Sequence, residues 1–536
     1  MDRPEMKDTA QRLSTEGKPG STGADALCDT LLAAGVDTCF ANPGTSEMHF
    51  VAALDRKPAM RCVLGLFEGV VTGAADGYAR MAGKPAATLL HTGPGLANGL
   101  ANLHNARRAH TPMINVVGDH AGYHVALDAP LTSDIDSLAR PMSNWVRRVS
   151  HGTVSRDTAD AIAAARGEPG GIATLILPAD VAWGPSDAAL VTPAAPRRSR
   201  VPAAAVEAAA RALRSGRKAL LLLGDSALLA EPLEAAGRIA EATGARLMAE
   251  QSNRRIARGA GRVDIPCRPY PVDLALKAVE GVEVMILVGA RAPVAFFAYP
   301  GKPGSLVPPG CEVLTLAEPG QDMQEALEAV SSALSLPASA RAKLSPFAPP
   351  PLPQDDGALT PSTIAQAVGA LLPEGAVIIN EAITSGAEIA PLTATAAPHD
   401  MLALTGGAIG DGLPMATGAA IGAPGRKVIA MQADGSGMYT VQALGTQARE
   451  RLNIVNIIYA NREYAILRGE LANVGAGAPG VNATRMLDLG NPDIDWVKLA
   501  AGMGVEGVRV ATPKAFGAAL RAALSQEGPF LIEAVI

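Results

Sequence analysis

Residues 427–467 read KVIAMQADGSGMYTVQALGTQARERLNIVNIIYANREYAIL, and this stretch decides the fold. An apolar run over residues 427–433 meets Asp434-Gly435-Ser436. A helical pattern follows, with Val441, Leu444 and Leu452 among its apolar positions, and a second apolar run over 454–460 delivers Asn461. Strand, helix, strand is a βαβ unit, and such units build parallel sheets. Ligands of α/β proteins bind at the carboxyl ends of those strands, where both Asp434 and Asn461 fall. A carboxylate, an amide oxygen and a nearby carbonyl suit magnesium, which keeps substrate phosphate oxygens in its shell. Gly435 lets the backbone approach a phosphate closely, and Ser436 with the helix-start amides can donate to it. The plain alternative is an ordinary βαβ turn carrying a surface Asp.

The rest of the chain alternates in the same way. A helix is expected near 23–34, then a strand at 37–41 and a loop at Asn42-Pro43-Gly44-Thr45. A strand at 61–66 and a helix over 68–81 follow, then buried strands at 87–90, 113–118 and 173–177. A middle stretch offers strands at 219–223, 284–288 and 312–316, and the last offers them at 376–379, 401–403, 428–431, 454–458 and 530–534. VTPAAPRRSRVP (191–202) and SPFAPPPLP (345–353) read as linkers, the second stiff and extended. The expectation is three α/β domains with parallel sheets, at 22–190, 203–340 and 360–536. A loose extension occupies 1–21, and a Pro-rich linker 341–359. No short repeat is visible.

The 536 residues are 48% hydrophobic and 18% charged, as in globular enzymes, with a net charge of -6 and no basic block. Nucleic acid is therefore not an expected partner. No apolar run approaches a membrane span, and residues 1–20 are too polar for a signal peptide. Cys28, Cys39, Cys62, Cys267 and Cys311 are scattered, without a CxxC pair. That argues against a zinc site or disulfide framework and for a cytoplasmic protein with reduced thiols.

Glu68 stands where the 61–66 strand gives way to a helix of small residues, with Phe67, Val70 and Val71 around it. A carboxylate among apolar groups is costly unless paired. The bland account is a helix-start acid favoured by the dipole.

Five stretches resemble thiamine-diphosphate-dependent enzymes of the acetolactate synthase and benzoylformate decarboxylase group. Ala433-Asp434-Gly435 and Asn461-Arg462 resemble that family's Gly-Asp-Gly…Asn-Asn signature, departing at the first Gly and the second Asn. Glu68 opens a segment ending in Ala-Asp-Gly-Tyr-Ala-Arg at 75–80. Asn42-Pro-Gly-Thr-Ser-Glu-Met-His-Phe50 and Leu90-His91-Thr92-Gly93-Pro94-Gly95 resemble two loops of benzoylformate decarboxylase. Thr405-Gly-Gly-Ala-Ile409-Gly-Asp-Gly-Leu-Pro414 resembles the glycine run of acetolactate synthases, with Asp411 in place of the usual Phe.

The resemblance implies thiamine diphosphate and Mg2+ as cofactors. Asp434, Asn461 and the carbonyl of Glu463 would be the metal ligands, and Thr384, Gly435 and Ser436 would meet the diphosphate. Tyr464 and Ala465 would adjoin the cofactor. Gly407 would accept from the 4′-amino group, and Ile409 would prop the two rings in a V, a proximity effect. Glu68 would exchange a proton at N1′ of the aminopyrimidine as a tuned acid and base. Thr45, His91, Phe296 and Phe297 would line the substrate pocket, with His91 as a proton relay. Glu47 reads as a helix-start acid and not a catalytic one.

The implied reaction is decarboxylation of a 2-oxo acid, with the enamine then ligated to a second aldehyde or keto carbonyl, as in acetolactate synthases. The alternative is protonation and release of an aldehyde, as in benzoylformate decarboxylase. A catalytically idle cofactor-binding relative and a nucleotide binder without thiamine are the readings from other classes. Gly224-Asp225 and Gly289-Ala290 follow strands of the middle domain, where acetolactate synthases carry FAD and several decarboxylases do not, so FAD stays open. The family's active site lies between two subunits, implying at least a homodimer, with homotetramers usual.

Overall fold

The computed structural model describes the chain except residues 1–19, 187–189, 192 and 194–197. Most of the expected N-terminal extension and part of the first expected linker lie outside the described residues.

The first sheet is built from β1 (Thr38–Asn42), β2 (Arg61–Leu64), β3 (Ala86–Leu90), β4 (Met113–Asp119), β5 (Trp145–Arg148) and β6 (Ile172–Pro178). Its order is β2-β1-β3-β4-β6-β5, and every pairing is parallel. The chain next supplies β7 (Ala219–Leu223), β8 (Arg246–Ala249), β9 (Ile256–Arg258), β10 (Val284–Val288) and β11 (Glu312–Ala317). Four of these form a sheet in the order β11-β10-β7-β8. The third sheet holds β12 (Val377–Glu381), β13 (His399–Ala403), β14 (Val428–Ala433), β15 (Ile454–Ala460), β16 (Glu506–Val510) and β17 (Phe530–Val535). Its order is β16-β17-β15-β14-β12-β13-β9. The purely parallel expectation needs one amendment. β9, from the stretch expected to belong to the middle domain, crosses to this sheet and pairs antiparallel with β13.

Leaving β9 aside, the first and third sheets share one topology. In each, the first strand lies between the second and the third, so the winding reverses beside it. Ligands of open α/β sheets bind at such a reversal, outside the strand carboxyl ends. In the first sheet that crevice is flanked by the residues after β1 and β3, and in the third by those after β12 and β14.

The two sheets are locked together by helices of small residues. Helix Glu68–Ala82 packs closely on helix Gly412–Gly422. A Cβ at Gly418 would collide with the Ala74 carbonyl, and one at Gly77 with the Met415 carbonyl, so the contact is backbone on backbone. Between them Asp76 and Arg80, one helical turn apart, form a fully buried ion pair at 2.5 Å. Arg80 also donates to the Ala403 carbonyl (2.9 Å) and Thr405 Oγ1 (3.0 Å), tying this helix to the glycine run that begins there. Arg80→Ala would leave Asp76 buried and unpaired, so it is expected to destabilise the protein by about 3–5 kcal/mol. Urea denaturation checks this, and an unchanged midpoint would remove the clamp. No helix among the described residues is long and apolar enough to cross a membrane.

Candidate active site

In the first sheet, Asn42 closes β1 and sits in register with Leu90, the residue before His91. Glu68 begins its helix, where the dipole favours an acid. Its side chain is buried, yet both oxygens are satisfied. Asn42 Nδ2 donates to Oε1 at 3.1 Å and Asn98 Nδ2 to Oε2 at 3.0 Å. The helix-start account is therefore correct as far as it goes, but two amides from separate elements also fix the carboxylate plane. Neither amide was given a role from the sequence.

His91 caps the helix Thr92–Arg108, and its Nδ1 lies 2.8 Å from Glu47 Oε2. Glu47 also accepts from the Gly44 amide at 2.8 Å, so it does cap its short helix as expected. A Cβ at Gly95 would lie 3.0 Å from Glu68 Oε1 and 3.3 Å from His91 Cβ, so Glu68 and His91 converge on that glycine. Thr45 is exposed at the start of that short helix, Thr45–Glu47.

The third sheet carries the other group. Asp434 follows β14 and Asn461 follows β15, and these strands pair through Ala433 and Tyr459. Asp434 Oδ1 accepts from the Gly435 amide (2.8 Å) and Oδ2 from the Arg462 amide (2.7 Å), while Asn461 Oδ1 accepts from the Glu463 amide (3.1 Å). Burial pushes the Asp434 carboxyl above the ordinary carboxylate range, against the pull of those amides. A desolvated anion beside an amide oxygen and a turn carbonyl fits a hard cation. Among the described residues no three His, Cys, Asp or Glu side chains cluster as a metal site. The expected donor set needs only one of them.

Arg462 has φ 59°. That left-handed conformation suits Asn far better than Arg, which gives the family's second Asn a backbone reason. Tyr464 lays its ring over Gly435, where a Cβ would clash with it, and Ala465 starts the helix Ala465–Asn473. Ser436 is buried, donates to the Ala433 carbonyl at 3.2 Å and accepts from Gln432. Thr384 is exposed on the turn after β12, the strand beside β14.

Gly407, φ 80°, lies under Phe296, whose Cζ would be 2.7 Å from an added Cβ. Phe297 stands edge-on to Phe296 at 4.9 Å between ring centroids. Ile409 is half-buried within a loop held on every side. Asn105 Nδ2 donates to the Ala408 carbonyl at 2.7 Å, and Asn105 Oδ1 accepts from the Ala408 amide at 3.2 Å. Buried Glu381 accepts from the amides of Gly410, Asp411 and Gly412. Glu381 and Asn105 were not anticipated. A fixed loop conformation is their only readable signal, and it needs the tertiary structure. Burial, with Asp76 and Glu381 nearby, pushes the Asp411 carboxyl well above its usual range. Nothing in the structure explains Asp there in place of Phe.

One group stands on the first sheet and the other on the third. Asn102 Nδ2 links the two regions, donating to the carbonyls of Gly69 (2.8 Å) and Gly410 (3.3 Å).

Comparison with known proteins agrees with this division. Residues 21–139 match the description "Thiamine pyrophosphate enzyme, N-terminal TPP binding domain", and residues 386–534 match the corresponding C-terminal TPP binding domain. The chain is 52% identical to a Mycobacterium tuberculosis protein named "Putative acetolactate synthase large subunit IlvX", over 96% of this chain and 99% of that one. It is 30% identical to benzoylformate decarboxylase of Pseudomonas aeruginosa, over 93% and 96%. A solved thiamine diphosphate-dependent 4-hydroxybenzoylformate decarboxylase from Rhodococcus jostii superposes with a TM-score of 0.80 at 25% identity, covering 96% of this chain and 98% of that one.

Proposed function

Since the chain belongs to the thiamine pyrophosphate enzyme family, we propose that it decarboxylates a 2-oxo acid bearing an apolar, aromatic-sized side chain and releases the aldehyde. The observation that carries this reading is the convergence of His91 and Glu68 on Gly95. It brings the His91 Cβ and the carboxylate expected to activate the cofactor to one glycine, with the imidazole itself lying against Gly44 and Glu47. Phe296 and Phe297 support the substrate class, because they give the Gly407 side of the pocket an aromatic wall. The domains at 22–190, 203–340 and 360–536 are assigned as pyrimidine-binding, central and diphosphate-binding. The two half-sites are completed by pairing two copies, so that Glu68 of one faces the Asp434 group of the other, with a homotetramer as the full assembly.

When bound, thiamine diphosphate supplies the electron sink that takes up the pair released as carbon dioxide leaves. The residues of this chain do the rest. Asp434, Asn461 and the Glu463 carbonyl would hold Mg2+, and Thr384, Gly435 and Ser436 would meet the diphosphate. Tyr464 and Ala465 close that end. Ile409 and the Gly407 carbonyl set the ring geometry, and Glu68 holds and returns a proton at N1′. Thr45 orients the substrate, and His91 protonates its carbon.

We infer that the central domain is not built for FAD. Glu250, half-buried and with its carboxyl raised by desolvation, reaches the glycine just after β7 and occupies the Arg291 amide at 2.8 Å. Asp225 occupies the Gly320 amide at 2.9 Å and the Arg254 guanidinium at 3.2 Å. These are the strand-end donors a dinucleotide's diphosphate would need, and they already serve carboxylates.

Acetolactate synthase-like ligation is the second reading, favoured by the 52% identical relative of that name. One assay separates the two. Arylglyoxylates and pyruvate are supplied with thiamine diphosphate and Mg2+, with and without an acceptor aldehyde. Carbon dioxide and free aldehyde from the arylglyoxylate are expected. His91→Ala should slow aldehyde release by about 10²- to 10⁴-fold and slow ligation less, because the acceptor takes the carbanion itself. An acyloin from pyruvate as main product would favour ligation, and no carbon dioxide from any 2-oxo acid would mean an idle relative.

A further inference from the structure

Glu47 is a helix-start acid with more burial than that duty needs. It is 2% exposed, and its Oε1 is buried without a hydrogen-bond partner among the described residues. Space for that oxygen comes from Gly118 near the end of β4, where any Cβ would overlap it. The His91 ring lies against Gly44, which likewise has no room for a Cβ. Two glycines from separate elements thus let a carboxylate and an imidazole meet.

The geometry points to Glu47 as the positioning residue that fixes the tautomer and ring orientation of His91. This rests on the reading of His91 as the proton carrier. Glu47 Oε2 already receives the Gly44 amide and lies 2.8 Å from His91 Nδ1. An ionised carboxylate only accepts, so the bond requires a proton on Nδ1. Nε2 is left with its lone pair, and among the described residues it has no protein partner. The partner of one ring nitrogen sets the chemistry of the other. In the proposed step the Nε2–H bond of the imidazolium breaks as a C–H bond forms at the substrate carbon. The pair stays on Nε2, giving the neutral Nδ1–H ring, and solvent restores the proton. The Glu68 carboxylate lies across Gly95 from the His91 Cβ. Asp119, next to Gly118, is engaged by Arg148.

The test uses ¹⁵N-histidine-labelled full-length protein without cofactor, read by NMR at neutral pH, beside aldehyde release by the loaded enzyme. His91→Ala assigns the signal. In the wild type His91 is expected as the Nδ1–H tautomer. Glu47→Ala should lose that tautomer and slow aldehyde release by about 10²-fold. Glu47→Gln, whose amide oxygen still accepts from Nδ1–H, should restore both in large part. A wild-type His91 carrying its proton on Nε2 overturns the proposal even where Glu47→Ala fails to fold. So does an unchanged tautomer in Glu47→Ala. If no 2-oxo acid is decarboxylated, the proposed function fails while the NMR result still decides the Glu47–His91 pairing.

Discussion

Glu68→Gln is expected to bind thiamine diphosphate with little change and to lose at least about 10²-fold in turnover, the usual scale for a positioned acid or base. The buried carboxylate takes one amide donor on each oxygen, from Asn42 and Asn98. Those bonds hold its plane and leave it able to take and return a proton. Glutamine keeps the volume and one acceptor but exchanges no proton. Its own N–H₂ would also confront one of the two asparagines, which must turn its amide over. The loss should appear with every 2-oxo acid tried, because the proton at N1′ moves before the substrate is chosen. Binding should survive because the residues assigned to the diphosphate and Mg2+ lie on the third sheet. A variant with near-normal turnover would show that another group does this work.

Asp434→Ala is expected to lose Mg2+-dependent cofactor binding. The fall should exceed the roughly 10- to 100-fold cost of losing a group that merely orients a metal ligand. Asp434 has two duties: the proposed cation contact, and the bonds to the Gly435 and Arg462 amides that join the ends of β14 and β15. Asp434→Asn separates them, keeping shape and one acceptor while removing the charge. Calorimetric titration with and without Mg2+ reads the result. Equal affinity in wild type and both variants would remove Asp434 from the metal site.

The apolar strands of the sheet interiors were legible because strands buried on both faces must be apolar along their length. β3, β4, β6, β14 and β15 are buried almost throughout, and the sequence shows each as a mainly apolar run with one or two polar residues, such as Asn115, Gln432 and Asn456. β5, β8, β9 and β16 were not anticipated, and all four are sheet edges. An edge strand is half solvated and tolerates charge, as Arg147 and Arg148 in β5 and Arg509 in β16 illustrate. Their pattern does not differ from that of a loop until a neighbour pairs with them. The shared topology of the first and third sheets left no sequence repeat, because topology constrains where apolar runs fall and not which residues fill them.

The site divides similarly. Asp434 and Asn461 could be named from type and spacing, and Glu68 and His91 from the resemblance of their segments to the family's. The residues that hold them could not. Asn98, Asn105 and Glu381 act at positions 29 to 303 residues from some of their partners, and none carries a local pattern. Glu47 was read only by its nearest neighbours in sequence, although its other partner is 44 residues away.

The central claim, that Glu68 activates bound thiamine diphosphate, is tested most directly without any 2-oxo acid. Exchange of the cofactor's C2 proton into deuterium oxide, followed by quenched NMR, is measured on the wild-type holoenzyme and on Glu68→Gln. The account predicts that the wild type accelerates exchange over free cofactor and that Glu68→Gln slows it by at least about 10²-fold while the cofactor remains bound. Equal exchange rates in the two proteins would contradict it.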